Sequence, residues 1–105
     1  MNPNRAGSNI RPWSLHRNGH PGVARWGGWI WAGDTDSSWK SLEAQIALGI
    51  NHSLSVSPYW GSDIGGFFPS AELDGELYAR WFQFGAFCPS FRSRVVASIR
   101  PGSAR

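Results

Sequence analysis

Apolar and polar positions divide this chain into segments of two kinds. Val23 to Trp31 is an almost unbroken aromatic and aliphatic run, interrupted by Arg25, Gly27 and Gly28. Such a run predicts a strand covered on both faces. The two glycines would weaken an isolated strand, so they point to a bulge or to close approach by a ligand or neighbour. Gly33-Asp34-Thr35-Asp36 then turns the chain. Beyond it, Trp39, Leu42, Ile46 and Ile50 recur at steps of three and four. That spacing predicts a helix over roughly 37–50 with this stripe buried. Asp36 is the expected N-cap, with Ser37 as the alternative. Gly49 and Asn51 weaken the helix end.

The pattern then repeats. Leu54 to Trp60 predicts a second strand, with Ser53, Ser55 and Ser57 alternating with Leu54 and Val56. Pro58 makes that strand irregular or late to start. Gly61-Ser62-Asp63-Ile64-Gly65-Gly66-Phe67 is a glycine-rich loop leaving its end. A second helix is predicted over roughly 71–88, burying Leu73, Leu77, Trp81, Phe84 and Cys88. Pro89 stops it, and Glu76 and Arg80 form an i,i+4 pair on its surface. Trp39 and Trp81 are expected in the core. Strand, helix, strand, helix implies parallel βα units and an α/β fold. Asp34 and Asp63 then lie just past strand C-termini, where α/β proteins place chemistry.

Composition bounds this picture. The 105 residues amount to one small domain, with seven Trp, six Phe and two Tyr. The net charge of +3 invites a nucleic-acid reading, which its distribution opposes. Residues 18–89 hold three basic and seven acidic side chains, so the aromatic body is acidic and the basic residues gather at the ends. A binder of nucleic acid would weave basic residues among exposed aromatics. The single cysteine, Cys88, excludes an intrachain disulfide. His16, His20 and His52 are scattered without metal-ligand spacing, and a surface or locally bonded imidazole is expected of each. No apolar run is long enough to span a membrane. Met1 to Ser14 has no apolar core of a signal peptide, and with the lone cysteine this favours the cytoplasm.

Several motifs, in order, carry a family resemblance. Arg25-Trp26 through Asp34, Ser38-Trp39 and Gly61 through Phe67 are the first three. Glu76 through Phe87 and Pro89-Ser90-Phe91-Arg92-Ser93 follow. Together they resemble glycoside hydrolase family 31, the α-glucosidases, α-xylosidases and their relatives, over roughly residues 16–93. The resemblance implies a (β/α)8 TIM barrel, of which this chain would be a partial piece of about two βα units. It also implies retaining hydrolysis of α-glycosidic bonds by an aspartate nucleophile and an aspartate acid/base; no cofactor or metal is expected. Asp34 falls at the acid/base position. Arg17 and Trp31 match residues of the −1 sugar subsite, Asp63 a substrate-contacting aspartate, and Phe67 a nearby wall. An α-linked oligosaccharide or glycoside is the implied partner.

Two departures limit the match. The family's upstream Trp-x-Asp-x-Asn-Glu segment, which carries the nucleophile, is not in these 105 residues. After Arg92-Ser93 the family continues with a sugar-contacting histidine, where this chain has Arg94. Residues 1–15 therefore read as a divergent or disordered N-terminal segment. Residues 94–105 read as an unstructured basic tail, as a truncation or frame change would leave. A retaining glycosidase needs two carboxyl groups about 5–5.5 Å apart, so this chain alone is expected to be inactive. As the acid, Asp34 would need a partly apolar cage to raise its pKa, for which Trp29, Trp31 and Trp60 are candidates. The competing role for Asp34 is a helix cap, and for Asp63 a turn bond beside Gly65. A non-catalytic carbohydrate-binding module with a tryptophan-rich surface is the alternative function.

Overall fold

The computed structural model describes residues 12–93. The expected N-terminal segment and basic tail therefore fall largely outside the described residues. Within them the chain forms β1 (Ser14–His16), β2 (Gly28–Trp31), α1 (Trp39–Ser55), β3 (Trp60–Gly61), β4 (Asp63–Ile64), α2 (Gly75–Gly85) and β5 (Arg92–Ser93). Every strand ladder is parallel. β2 lies between β1 and β3, with Leu15 opposite Trp29 and Trp31 opposite Gly61. β4 pairs β5, with Asp63 opposite Arg92. Only Ser62 separates β3 from β4, so one extended segment joins the two small sheets. Helices α1 and α2 fill the connections into β3 and from β4 to β5. This is the α/β alternation read from the sequence.

The strand boundaries differ from expectation. Val23–Trp26 is a 3-10 turn rather than the start of a strand. Gly22 (φ 89°) and Gly27 (φ 76°) flank it in the left-handed region, which a strand cannot accommodate. The strand therefore begins at Gly28. Ser14–His16, which begins inside the segment read from sequence as divergent or disordered, is a parallel strand beside β2. Leu54 and Ser55 belong to α1 and not to a strand. Side chains bond back along the helix there, Asn51 Nδ2 to Ala47 O at 2.9 Å and Ser55 Oγ to Asn51 O at 2.6 Å. Three alternating serines were too short a pattern to outweigh an established helix.

The α1 cap and buried face also need correction. Ser38 is the N-cap, its Oγ accepting the Ser41 N–H at 3.1 Å, while Asp36 and Ser37 are not. The face turned inward is Leu42, Gln45 and Gly49. Ile46 and Ile50 remain 43% and 60% exposed, and Trp39 is 44% exposed rather than core. Gly49 decides the matter: a Cβ there would stand 2.7 Å from the Trp60 ring. The helix therefore packs its smallest residue onto the largest side chain of β3. In α2 the expected stripe is confirmed at its centre. Leu77 and Trp81 are fully buried and cluster with Leu42 and Ile64, with Tyr78 and Phe84 against them. The helix starts at Gly75, later than expected, because Asp74 caps it through a 2.8 Å bond from the Leu77 N–H.

Candidate functional site

Asp34 and Asp63 follow the C-terminal ends of β2 and β3, which are parallel neighbours. Both loops therefore leave the sheet at the same rim. They are also fastened together. Thr35 O accepts the N–H groups of Phe67 (2.8 Å) and Phe68 (3.0 Å), and Phe68 O accepts the Ser37 N–H at 2.8 Å. Asp36 and Phe68 form a parallel bridge at the same place. Gly65 (φ 86°) and Gly66 (φ 79°) let the second loop make this approach. The Gly66 N–H closes the turn on Asp63 O at 2.9 Å.

The surroundings of each candidate differ. Asp34 is half-buried and is not the cap of α1, because Ser38 fills that role. Arg17 lies against the Asp34 loop: a Cβ on Gly33 would stand 2.7 Å from Arg17 Nε. Arg17 and Trp31 also line a cavity of about 310 Å³ with Asn51, His52 and Ser55 of α1. Asp34, Asp63 and Phe67 do not line it. Phe67 is half-buried and meets Phe68 edge-on, with ring centres 4.8 Å apart. Asp63 is 1% exposed and forms an ion pair with Arg92.

Arg92 was missed as a site residue. By charge it groups with the basic C-terminal end, yet its side chain turns back to the acidic body. Its Cζ stands 6.0 Å from the Trp31 ring centre. The available signal was its place in the Pro-Ser-Phe-Arg-Ser motif. Of the expected aromatic cage, Trp31 and Trp60 both line the cavity that Asp34 does not. Trp60 shares its side of the sheet with Ile30, packs on α1 and is 3% exposed, whereas Trp31 pairs with Gly61 on the other side. Trp29 stacks on Tyr59 with ring centres 4.9 Å apart. Trp81 is in the core, donating from Nε1 to Ser62 Oγ at 3.0 Å.

The three histidines are bonded locally. His16 bonds Ser14 Oγ at 2.7 Å, and His20 and His52 bond Pro21 O at 2.9 Å and Ser57 O at 3.3 Å. Each carbonyl contact requires the proton on Nδ1. Glu76 and Arg80 form the expected exposed pair at 3.6 Å. Among the described residues no three His, Cys, Asp or Glu side chains group to hold a metal ion. No described helix is long and apolar enough to cross a membrane.

The chain is similar in sequence and fold to known proteins. The family model described as the glycosyl hydrolases family 31 TIM-barrel domain matches residues 2–100. An α-xylosidase of Saccharolobus solfataricus is 42% identical over 88 residues, which are 81% of this chain and 12% of that protein. α-Glucosidase 2 of Bacillus thermoamyloliquefaciens is 38% identical over 90 residues, 86% of this chain and 11% of that protein. The crystal structure of a family 31 α-xylosidase from Xanthomonas citri superposes with a TM-score of 0.75 at 39% identity. That superposition covers 86% of this chain and 11% of the crystallised one. The chain thus spans about a tenth of the relatives it matches, and it belongs to the TIM-barrel domain of glycosyl hydrolase family 31.

Proposed function

We propose that these residues supply the acid/base half of a retaining α-glycosidase site on one arc of a (β/α)8 barrel. The ladders β1–β2–β3 and β4–β5, parallel and in chain order, are the wall of that arc. The observation that carries the reading is the fastening of the Asp34 and Asp63 loops at one rim through Thr35 O. Asp34 is the acid/base: it protonates the leaving oxygen and later takes a proton from water. Ser38 has taken the structural task that competed for it. Arg17 and Trp31 hold the sugar, and Phe67 walls the rim. The substrate is an α-glucoside or α-xyloside, as the names of the relatives suggest. No nucleophile-bearing segment is among these 105 residues, so this polypeptide alone does not complete the reaction.

Leaving-group dependence tests the acid role. Residues 12–93 replace the matching segment of the Saccharolobus α-xylosidase, and the graft is assayed on aryl α-xylosides. Asp34→Asn should lower turnover of a poorly acidic leaving group by about 10²–10⁴-fold. It should spare a strongly acidic leaving group, which departs without a proton. Equal losses on both substrates would remove Asp34 from the acid role. The 105-residue chain by itself should release no aryl group above background. Turnover by that chain, abolished in Asp34→Asn, would overturn the claim of inactivity.

A further inference from the structure

A buried carboxylate is costly unless another charge meets it. Asp63 is 1% exposed, and Arg92 is the cation that meets it. Two features of the chain fix Arg92 in place. The β4–β5 ladder sets Arg92 directly across from Asp63. On either side of Arg92, Ser93 Oγ bonds the Tyr78 hydroxyl of α2 at 2.9 Å, and the Ser90 N–H bonds Trp60 O at 3.1 Å.

The guanidinium is held without being enclosed. The Arg92 side chain keeps 36% of its exposure while that of Asp63 keeps 1%. Its Cζ is 6.0 Å from the Trp31 ring centre, and Trp31 belongs to the rim assigned above to sugar. A guanidinium carries five N–H donors in a planar fork. A carboxylate accepts from part of that fork and leaves donors for a ligand. Of the two partners, the group a hydroxyl-rich molecule can reach is Arg92.

We propose that Arg92 is the sugar-contacting residue here, and that Asp63 is a positioning residue acting through it. The inference rests on the reading of this rim as an α-glycoside site. It replaces an acceptor with a donor. The sugar is recognised by a hydroxyl oxygen that takes a proton contact from Arg92 while a C–H face of the ring lies on Trp31. Asp63 fixes the orientation of the guanidinium and balances its charge.

The side-chain N–H resonances of the ¹⁵N-labelled 105-residue chain test this. The chain is titrated with methyl α-xylopyranoside and with methyl α-glucopyranoside. The Arg92 Nε–H signal should exchange slowly with water and shift with sugar, together with the Trp31 indole signal. Asp63→Asn should speed that exchange and weaken the sugar response by about tenfold or more. The Trp81 indole signal should stay in place, showing an intact core. Arg92→Lys keeps the charge without the fork and should weaken binding while leaving the Trp81 signal unmoved. A response at Trp31 with none at Arg92 would overturn this inference alone, as would an undiminished response in Asp63→Asn. No response at Trp31, Arg17 or Arg92 would overturn the sugar-site reading and this inference with it. The wild-type titration decides between these outcomes even if Asp63→Asn fails to fold.

Discussion

Three glycines separate the ways in which this chain uses the residue, and each predicts a different consequence of one added methyl group. Gly22 has φ 89° with nothing within 4 Å of an added methyl, so Gly22→Ala tests backbone conformation alone. An L-residue in the left-handed region costs about 1–2 kcal/mol. Gly66 has φ 79°, and its added Cβ would also stand 2.8 Å from Ser37 Cα and 2.9 Å from Ser37 N. Those are backbone atoms of the Asp34 loop and cannot swing aside. Relief requires the two loops to part, which loosens the Phe67 and Phe68 bonds to Thr35 O. Each such bond contributes about 0.5–1.5 kcal/mol. Gly66→Ala should therefore cost about 2–5 kcal/mol. Gly75 opens α2 with open space around its Cβ position and no positive φ. Gly75→Ala should stabilise by about 0.4–1 kcal/mol through the unfolded chain. Urea unfolding followed by tryptophan emission reads all three, since Trp60 and Trp81 are buried reporters. Equal costs at Gly22 and Gly66 would show that the contact with Ser37 does not constrain the loops. A destabilised Gly75→Ala would refute the conformational argument itself.

Ser38→Ala should cost about 1 kcal/mol in the same assay because it removes the N-cap of α1, whereas Asp36→Ala should fall within about 0.5 kcal/mol of wild type. Reversal of that order would return the cap to Asp36. Burial pushes the Cys88 thiol above its usual 9.0, so the midpoint of its reaction with iodoacetamide should lie above that pH. The unfolded thiol ionises first, so this group's contribution to stability is intact below pH 9.0 and is lost as pH rises through the folded value. An alkylation midpoint below 9.0 would contradict the assigned burial.

What could be read from sequence depended on how many answers a pattern allowed. α2 offers one apolar stripe at helical spacing, and Leu77 and Trp81 are buried as that stripe requires. α1 offers two. Trp39, Leu42, Ile46 and Ile50 form the more apolar one, of which Leu42 alone is buried, while Leu42, Gln45 and Gly49 form the one that packs. Periodicity cannot rank two stripes, because the choice is made by the Trp60 ring on a different element. β1 and β5 have three and two residues, too few for an alternating pattern to register. Their existence depends on the edges of β2 and β4, which are non-local information. The placement of Asp34 and Asp63 past strand ends was legible because glycine turns follow apolar runs. Arg92 was not, since its charge is matched only by a residue nearly thirty positions earlier that the parallel ladder brings alongside.

The segment Trp60 to Ile64 shows how closely stability and chemistry are interleaved. Successive side chains of an extended segment point to opposite faces. Trp60 packs on Gly49, Ser62 accepts from the Trp81 indole, and Ile64 joins the core with Leu77 and Trp81. Those alternate positions hold the helices. Between them, Gly61 is pressed against Ser90, and Asp63 pairs with Arg92. These positions face the next strand and the rim. A five-residue stretch thus divides its side chains between the helical layer and the site. The division explains why the rim can be read apart from the core. On the function proposed above, it also accounts for why these residues would not catalyse alone: each strand end presents its own polar groups, and the proposed attacking carboxylate is not among them. What the arc contributes is a half-buried Asp34 released from capping duty, held at the same rim as the Asp63–Arg92 pair by hydrogen bonds to Thr35 O.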